Sequence, residues 1–300
     1  MDKLEYEVKR ICRRNRDGSY GTQRDRRKML VQIARLLLKL GFRGLRACNL
    51  KPKHVNALVD QWMFEGLDAG TIKNRMACLR WLAEKIGRPW IVAEGNDSYG
   101  ISRREASARE SKALRPENEV LDQIQDIRVQ VSVILQKEFG LRREEAMKVR
   151  PEWADRGDRL VLRRSWAKGG RPREIPIETA AQREALDMAK RIAGKGSLIP
   201  PESSYKEQMG RFQRETAKVG LGNSHGLRHA YAQDRYEEVA DMKPPVAGGK
   251  TTRNMSQDEK ERDTKARLQV SKELGHNRKD VASAYLGGLF STKADSDDDE

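Results

Sequence analysis

Residues 120–151 read VLDQIQDIRVQVSVILQKEFGLRREEAMKVRP and pass from an apolar stretch into a charged one. Apolar side chains recur there at helical spacing, at Val120, Leu121, Ile124, Ile127, Val131, Ile134 and Leu135. The pattern predicts one long, mostly buried helix whose register leads directly into FGLRREEAMKVRP. We take this helix as the opening of the second of two domains.

The chain that follows this helix changes to β-type composition. Residues 159–177, RLVLRRSWAKGGRPREIPI, predict two short extended runs around a turn at Gly169-Gly170. They are expected to form the only substantial sheet of the protein. Helical patterns resume at residues 179–193, 203–219 and 225–240.

The chain before this helix predicts a small helical bundle. Within residues 21–93, one apolar stripe stops at Gly41 and a second follows Pro52. A third begins where Asp68 can act as N-cap, and it ends at Gly87. Residues 94–115 then lose all periodicity and become polar and basic, which is typical of an interdomain linker. The predicted fold class is mainly α with a small antiparallel β-sheet, in two domains.

The predicted boundaries follow from these changes in composition. They are a basic N-terminal segment at 1–20, a helical domain at 21–93, the linker at 94–115, a second domain at 116–290 and an acidic tail at 291–300. Residues 242–267 hold eleven charged residues, two prolines, a glycine pair and no aromatic residue. We expect that stretch to be an exposed, partly disordered insertion.

Composition limits the classes of function. The chain has 300 residues and 34.3 kDa, a formal charge of +15 and a pI near 9.8, with 37% hydrophobic residues. Such a chain can form real cores inside a cationic surface that attracts phosphates. No apolar run approaches the roughly 18 residues of a membrane span, and MDKLEYEVKR lacks a signal peptide's apolar stretch. Three cysteines without C-x-x-C spacing favour reduced thiols over disulfides or a zinc knuckle.

Four separated segments carry the candidate chemistry. They are GLRREEA (140–146), AKGGRPREIPI (167–177), SHGLRHAYA (224–232) and LGHNRKDVASAYLG (274–287). In order and residue type they resemble the signature of the tyrosine recombinase or phage integrase family, and the resemblance covers about residues 20–290. Each piece is common by itself, and the ordered set, with nine residues from His276 to Tyr285, is what is specific.

The resemblance implies a two-domain DNA clamp with a helical, SAM-like core-binding domain and a tyrosine recombinase catalytic domain. The stretch AGTIKNRMACLRWLAEKIG (69–87) looks like the last long helix of the first. It also implies the catalytic residues Arg142, Lys168, His225, Arg228, His276 and Tyr285, with Glu145 and His229 in support. The alternative for Glu145 is to anchor Arg142 as a buried ion pair, and the alternative for His229 is to pack behind His225.

The residue types suit attack on a DNA phosphodiester. Planar guanidiniums that stay protonated can hold the two non-bridging oxygens, a role for Arg142 and Arg228. His225 and Arg228 lie three residues apart, hence on one face of a helix that Ser224 can cap. Tyr285 would form a 3′-phosphotyrosine that a 5′-hydroxyl later reverses, while Lys168, by resemblance, would protonate the leaving oxygen.

The predicted partner is double-stranded DNA, with no metal, other cofactor or membrane. Candidate DNA contacts, some of which may face only water, are Lys73, Arg75, Arg80, Arg103, Arg104, Arg171 and Arg173. The family implies a homo-tetramer on paired DNA sites, a monomer in solution being possible, and DNA-bending accessory proteins. We expect a cytoplasmic, nucleoid-associated protein, most plausibly the integrase of a mobile element.

Three alternatives stay open at this point. One is a type IB topoisomerase with the same phosphotyrosine chemistry, and another is a catalytically silent DNA-binding protein on the same fold. His225 and His229 also have the i, i+4 spacing of zinc ligands, although Arg228 beside them opposes a cation. The chain departs from the family in the 51 residues from His225 to His276, more than its members usually have, and in the short tail after Tyr285.

Overall fold

The computed structural model describes residues 2–102, 108, 110–276 and 279–288, with the backbone alone at 168, 279 and 280. Two compact units divide the chain, Met1–Glu105 and Ala106–Glu300. Within the described ranges no helix has the length and apolar character needed to cross a bilayer. The structure is mostly helical with one two-stranded antiparallel sheet, which confirms the predicted fold class.

The first unit contains four α-helices: α1 (Lys3–Arg14), α2 (Tyr20–Lys39), α3 (Pro52–Phe64) and α4 (Ala69–Lys85). The side chain of Asp68 accepts from the Thr71 amide at 3.0 Å, so its predicted N-cap role is confirmed. The apolar stripes meet in one core around the fully buried Trp62.

The basic N-terminal segment differs from the prediction of a separate stretch at 1–20. Most of it forms α1, whose Leu4 and Val8 are buried in the same core as α2. Both oxygens of Glu5 accept from Arg35, at 2.9 and 3.0 Å, which ties α1 to α2. This hydrogen bonding to Arg35 lowers the pKa of Glu5 to about 2. The first helix is therefore an integral part of the unit.

The second unit begins with α5 (Asn118–Asp122), α6 (Ile127–Phe139), α7 (Arg143–Lys148) and α8 (Pro151–Ala154). The prediction of one helix through residues 120–135 is wrong, because the chain breaks between α5 and α6. Asp126 caps α6 by accepting from the amides of Arg128 and Val129, at 3.0 and 3.1 Å. Because the Asp126 side chain caps the start of α6, residues 120–135 cannot form one continuous helix.

The hairpin and the remaining helices complete the unit. Strands β1 (Arg159–Leu162) and β2 (Arg173–Pro176) pair antiparallel, with Leu160 opposite Ile175. The helices that follow are α9 (Ala180–Ala193), α10 (Tyr205–Lys218), α11 (His225–Ala240), α12 (Gln257–Glu273) and α13 (Lys279–Leu286). A core cluster joins α6, α9, α11, α12 and the sheet.

The segment 242–267, which the sequence predicts as an exposed and partly disordered insertion, has many exposed residues but is partly helical. It contains short 3₁₀ turns at Pro245–Ala247 and Thr252–Asn254 and the first part of α12, capped by Ser256. Asp263, Ala266 and Arg267 are each at most 3% exposed. The high charge of this segment suggested full exposure. One face of α12 is nevertheless buried, because Asp263 and Arg267 pair with each other inside the unit.

We predict that Leu4→Ala lowers the free energy of unfolding by about 2–5 kcal/mol, because it leaves a cavity where α1 meets the core. Urea denaturation followed by circular dichroism measures the change. Leu38→Ala in α2 is the control, since Leu38 is 38% exposed and should cost far less. Equal stability of the Leu4 variant and the wild type would mean that α1 is not part of the folded unit.

Candidate active site

Three of the four motif segments, which are far apart in sequence, meet in the second unit. The Nε atom of Arg228, on α11, lies 3.2 Å from the hydroxyl of Tyr285, on α13. The Nη2 atom of Arg142, just before α7, lies 3.2 Å from Nε2 of His276, just after α12. The structure therefore brings together the two arginines, the histidine and the tyrosine that the sequence motifs selected.

Glu145 holds Arg142 in place. Its carboxylate accepts from the backbone amide of Arg142 at 2.8 Å and from Nη1 at 2.9 Å. Burial opposes ionisation of Glu145, but the hydrogen bonds and charge of Arg173, together with Arg142, lower its pKa to about 2. Glu145 is thus an ionised anchor, and the Arg142 side chain stays 19% exposed.

Arg173 is a structural partner of Glu145, contrary to its prediction as a DNA contact. Its Nη1 and Nη2 donate to the two oxygens of Glu145 at 2.9 and 2.6 Å, and its Nε donates to the carbonyl of Glu273 at 2.8 Å. The residue is 7% exposed. The alternation of residues along β2 indicates this burial, since Arg173 and Ile175 lie on one face of the strand and the exposed Glu174 lies on the other. An arginine on the buried face of a strand needs a carboxylate partner.

Arg228 is 1% exposed, and each of its three nitrogens donates to a neutral acceptor. Beyond Tyr285, it donates to the carbonyl oxygens of Gly140 and Leu274. Gly140 has a φ of +57°, and a Cβ there would come within 2.4 Å of the Tyr231 ring. Only glycine can therefore present this carbonyl to the guanidinium. Burial lowers the pKa of Arg228 to about 10, so it stays charged at neutral pH.

The three histidines of the site differ in exposure. His225 is exposed at the start of α11, and the ring of the buried His229 packs edge-on against it at 5.3 Å. Burial, followed by the charge of His225, lowers the pKa of His229 to about 4. The predicted cap at Ser224 is wrong, because its hydroxyl instead hydrogen-bonds Oε1 of Gln136 at 3.1 Å.

His276 is a neutral imidazole beside Arg142. Burial and the charges of Arg142 and Arg228 lower its pKa to about 4. Because a guanidinium only donates, Nε2 of His276 must accept from Arg142, which puts the imidazole proton on Nδ1. Ser271 holds His276 by two hydrogen bonds. The Ser271 hydroxyl donates to the His276 carbonyl at 2.9 Å, and the Ser271 backbone carbonyl accepts from the His276 amide at 2.7 Å.

Tyr285 is 6% exposed and lies among these cations and rings. Its ring centroid is 4.8 Å from that of His229 and 6.1 Å from that of His225. The sequence reasoning missed Gln233, whose Nε2 donates to the Tyr285 carbonyl at 3.2 Å and whose Oε1 accepts from Ser111 at 3.1 Å. A glutamine inside a helix gives no signal of such a role.

The lysine hairpin is present, but the side chain of Lys168 lies outside the described part of the structure. The Lys168 backbone is in the short turn Lys168–Gly170 between β1 and β2, and Gly169 has a φ of +73°. Arg171 is exposed on the same hairpin. The catalytic role of Lys168 and the DNA contact of Arg171 stay predictions.

The other predicted DNA contacts lie near or in the first unit. Arg80 donates to the Ala93 carbonyl at 3.0 Å and to Asn96 at 2.8 Å, so two of its nitrogens are engaged within its own unit and its DNA contact stays a prediction. The Arg75 guanidinium lies 5.2 Å from the Trp62 ring, and Lys73 is half-buried. Arg103 and Arg104 lie outside the described residues.

An open cavity of about 360 Å³ borders this cluster. Arg142, His225 and the partly buried Tyr205 line it, together with Trp166 and Asn223. Among the side chains that the structure describes, no three His, Cys, Asp or Glu come together as metal ligands. The cavity thus offers a guanidinium and an imidazole to an anion of phosphate size.

Two protein-family models match the chain. The model described as "Phage integrase, N-terminal" matches residues 1–92, and the model described as "Integrase" matches residues 102–234. No protein in the comparison with curated sequences matches significantly.

The fold is similar to those of several DNA-bound recombinases. A XerH site-specific recombinase in a post-cleavage complex with its palindromic difH substrate has 14% identity and a TM-score of 0.57, over 95% of this chain and 81% of that one. The Tn1549 transposon integrase with transposon right end DNA has 13% identity and a TM-score of 0.57, over 97% of both chains. A lambda integrase dimer bound to a COC′ core site has 18% identity and a TM-score of 0.56, over 94% of this chain and 75% of that one.

We predict that Glu145→Gln destabilises the protein at pH 7 and that this loss shrinks as the pH falls. A carboxylate whose folded pKa is lowered stabilises above its unfolded pKa of 4.5 and stops doing so as the pH falls through about 2. Urea midpoints of the variant and the wild type between pH 7 and 2.5 measure the difference. Glu144→Gln, at the neighbouring exposed residue, is the control. A difference that does not change with pH would contradict an ionised Glu145.

Proposed function

Because this chain belongs to the phage integrase family of tyrosine recombinases, we propose that it is a site-specific DNA recombinase whose nucleophile is Tyr285. The observation that carries the proposal is the 3.2 Å hydrogen bond from Arg228 Nε to the Tyr285 hydroxyl, beside the cavity that Arg142 and His225 line. A phenol held against a buried cation, next to an anion-binding cavity, is suited to attack a phosphodiester.

The proposed first step is a transesterification. The Tyr285 hydroxyl gives its proton to solvent, its oxygen attacks the scissile phosphorus, and the bond from phosphorus to the 5′ oxygen breaks. Arg228 stabilises the charge on the phenol oxygen as the proton leaves, because its Nε already donates to that atom. The leaving 5′ oxygen takes a proton from a general acid, which we assign to Lys168 by family resemblance.

Arg142 and His276 act on the phosphate in this proposal. The Arg142 guanidinium reaches the cavity while Glu145 fixes its other side, so it can bind a non-bridging oxygen in a set orientation. His276 is neutral and keeps a proton on Nδ1, which makes it a hydrogen-bond donor rather than a second charge. The phosphoester energy is retained in the 3′-phosphotyrosine, and attack by a 5′-hydroxyl of a partner duplex reverses the step without ATP or a metal.

The assembly that we propose is a homo-tetramer on paired DNA sites, formed from monomers in solution. The relatives support this, since lambda integrase is seen as a dimer on a core site and as a tetramer on a Holliday junction. DNA-bending accessory proteins and a place at the bacterial nucleoid, in the cytoplasm, belong to the same proposal.

Non-specific DNA affinity would come from the basic surfaces. In the first unit, α1 and α2 border an open groove of about 620 Å³ that Arg13, Arg16, Arg24 and Arg27 line. We propose that this groove and Lys73 contact the DNA backbone, together with Arg171 on the hairpin of the second unit. Arg173 is left out because it is engaged by acceptors of its own unit.

We predict that the wild type forms a denaturation-resistant protein–DNA adduct on a nicked duplex bearing its cognate site and that Tyr285→Phe abolishes it. The phenylalanine ring keeps the packing against His229 but lacks the attacking oxygen. Denaturing electrophoresis detects the adduct. Retention of the adduct in the variant would contradict the assignment of the nucleophile.

The same assay separates the alternatives. Sequence-independent relaxation of supercoiled plasmid by the wild type would favour a type IB topoisomerase. Binding to the cognate site without any adduct would favour a silent DNA-binding protein.

We predict that Arg142→Ala slows adduct formation about 10²- to 10³-fold while DNA affinity stays within a few-fold, because its guanidinium acts mainly on charge that develops in the transition state. Gel-shift titration and single-turnover cleavage at saturating protein measure the two quantities. Arg150→Ala is the control, because Arg150 is exposed and donates to the Lys195 carbonyl at 2.7 Å. Equal losses of binding and cleavage would mean that Arg142 only holds DNA.

A further inference from the structure

The segment 242–267, which exceeds the spacing usual in the family, lies directly against the chain that follows Tyr285. Gly287 has a φ of +86°, and a Cβ built there would lie 2.9 Å from the Val246 amide nitrogen and 3.4 Å from Cβ of Pro245. The 3₁₀ turn Pro245–Ala247 therefore forms a seat for the end of α13, the helix that carries the nucleophile.

Arg267 connects this seat to the helix by a buried hydrogen bond. Its Nη1 donates to the Gly287 carbonyl at 3.1 Å, and its Nε donates to both oxygens of Asp263, at 2.8 and 3.0 Å. Asp263 also accepts from the hydroxyl of Tyr236 at 2.6 Å. Tyr236 is on α11, which carries Arg228 and His225 at its other end. The connection therefore runs from the helix that holds the phosphate ligands to the helix that holds the nucleophile.

Stability alone is a poor explanation for this connection. Arg267 is 1% exposed, and its Nη2 is buried without a hydrogen-bond partner among the described residues. An unpaired buried donor is unfavourable, and a buried ion pair can often be replaced by apolar side chains at no loss of stability. What apolar side chains cannot supply is a directed bond to one particular carbonyl.

We infer that Arg267 is a positioning residue for Tyr285 and that the segment 242–267 seats the tyrosine helix at the active site. The inference rests on the proposed function of Tyr285 as the nucleophile. The Gly287 carbonyl is two residues beyond Tyr285, so fixing it limits the displacement of the phenol from Arg228. A shift of about 1 Å at a reacting group is enough to slow a reaction substantially.

The test is Arg267→Lys, which keeps a positive charge near Asp263 but loses the forked donor that reaches Gly287. At saturating protein, single-turnover adduct formation should slow about tenfold or more, while the protein concentration at half-saturation stays within twofold of wild type. Arg262→Lys is the matched control, because Arg262 lies on the same helix and donates to the Ala240 carbonyl instead, at 3.1 Å. A wild-type cleavage rate in Arg267→Lys would overturn the inference, as would equal slowing in Arg262→Lys.

A second variant guards against a folding defect at the buried pair. Gly287→Ala leaves Asp263 and Arg267 unchanged and places a methyl group against the Val246 amide. It should slow adduct formation in the same way, again without loss of DNA affinity. Wild-type cleavage by Gly287→Ala would show that the seat does not position the helix.

Hydrogen exchange measured by mass spectrometry distinguishes failure of the inferred seat from failure of the proposed cleavage function. In Arg267→Lys, peptides from 279–288 should exchange about tenfold faster, while peptides from 225–240 stay unchanged. This readout does not require cleavage, so it tests the seat even if the wild type forms no adduct and the proposed function fails. Unchanged exchange at 279–288 would overturn the inference.

Discussion

The buried carboxylate of Glu145 is the interaction on which the site depends. It accepts from the amide and guanidinium of Arg142 and from two nitrogens of Arg173. Through Arg173, whose Nε binds the Glu273 carbonyl, the same carboxylate joins the start of α7, the strand β2 and the end of α12. A charge this buried is tolerable only when its hydrogen-bonding capacity is filled, and four donors fill it. One set of bonds therefore orients Arg142 and joins three of the elements around the site.

Much of the fold and of the candidate site could be predicted from the sequence, because local sequence patterns specify those parts. The cap at Asp68, the hairpin around Gly169-Gly170 and the helix starting near His225 each depend on residues within one or two turns of chain. The candidate residues Arg142, Arg228, His276 and Tyr285 were found by their order and spacing, and the structure places them within contact of one another.

The features that could not be predicted depend on hydrogen-bond and ion-pair partners that are distant in sequence. Arg173 and Arg267 look like surface residues until Glu145 and the Asp263–Tyr236 pair are known. The charged segment 242–267 therefore predicts an exposed insertion, although Asp263 and Arg267 pair with each other inside the fold. Ser224 illustrates the same limit on a smaller scale, since Gln136, 88 residues away, competes successfully for its hydroxyl. Burial of polar groups is decided by these long-range partners.

The electrostatics of the site indicate what it is organised to receive. Arg228 donates to two backbone carbonyls and a phenol, which hold the guanidinium in place without cancelling its charge. Burial, together with the charges of Arg142, Arg228 and Arg173, lowers the pKa of His276 to about 4, so at neutral pH the imidazole is uncharged and has one N–H donor. Arg142, Arg173 and Arg228 place three positive charges around the single carboxylate of Glu145, and this surplus favours a bound anion. In the proposed mechanism these cations receive the phosphate, and the Tyr285 hydroxyl is already hydrogen-bonded to one of them.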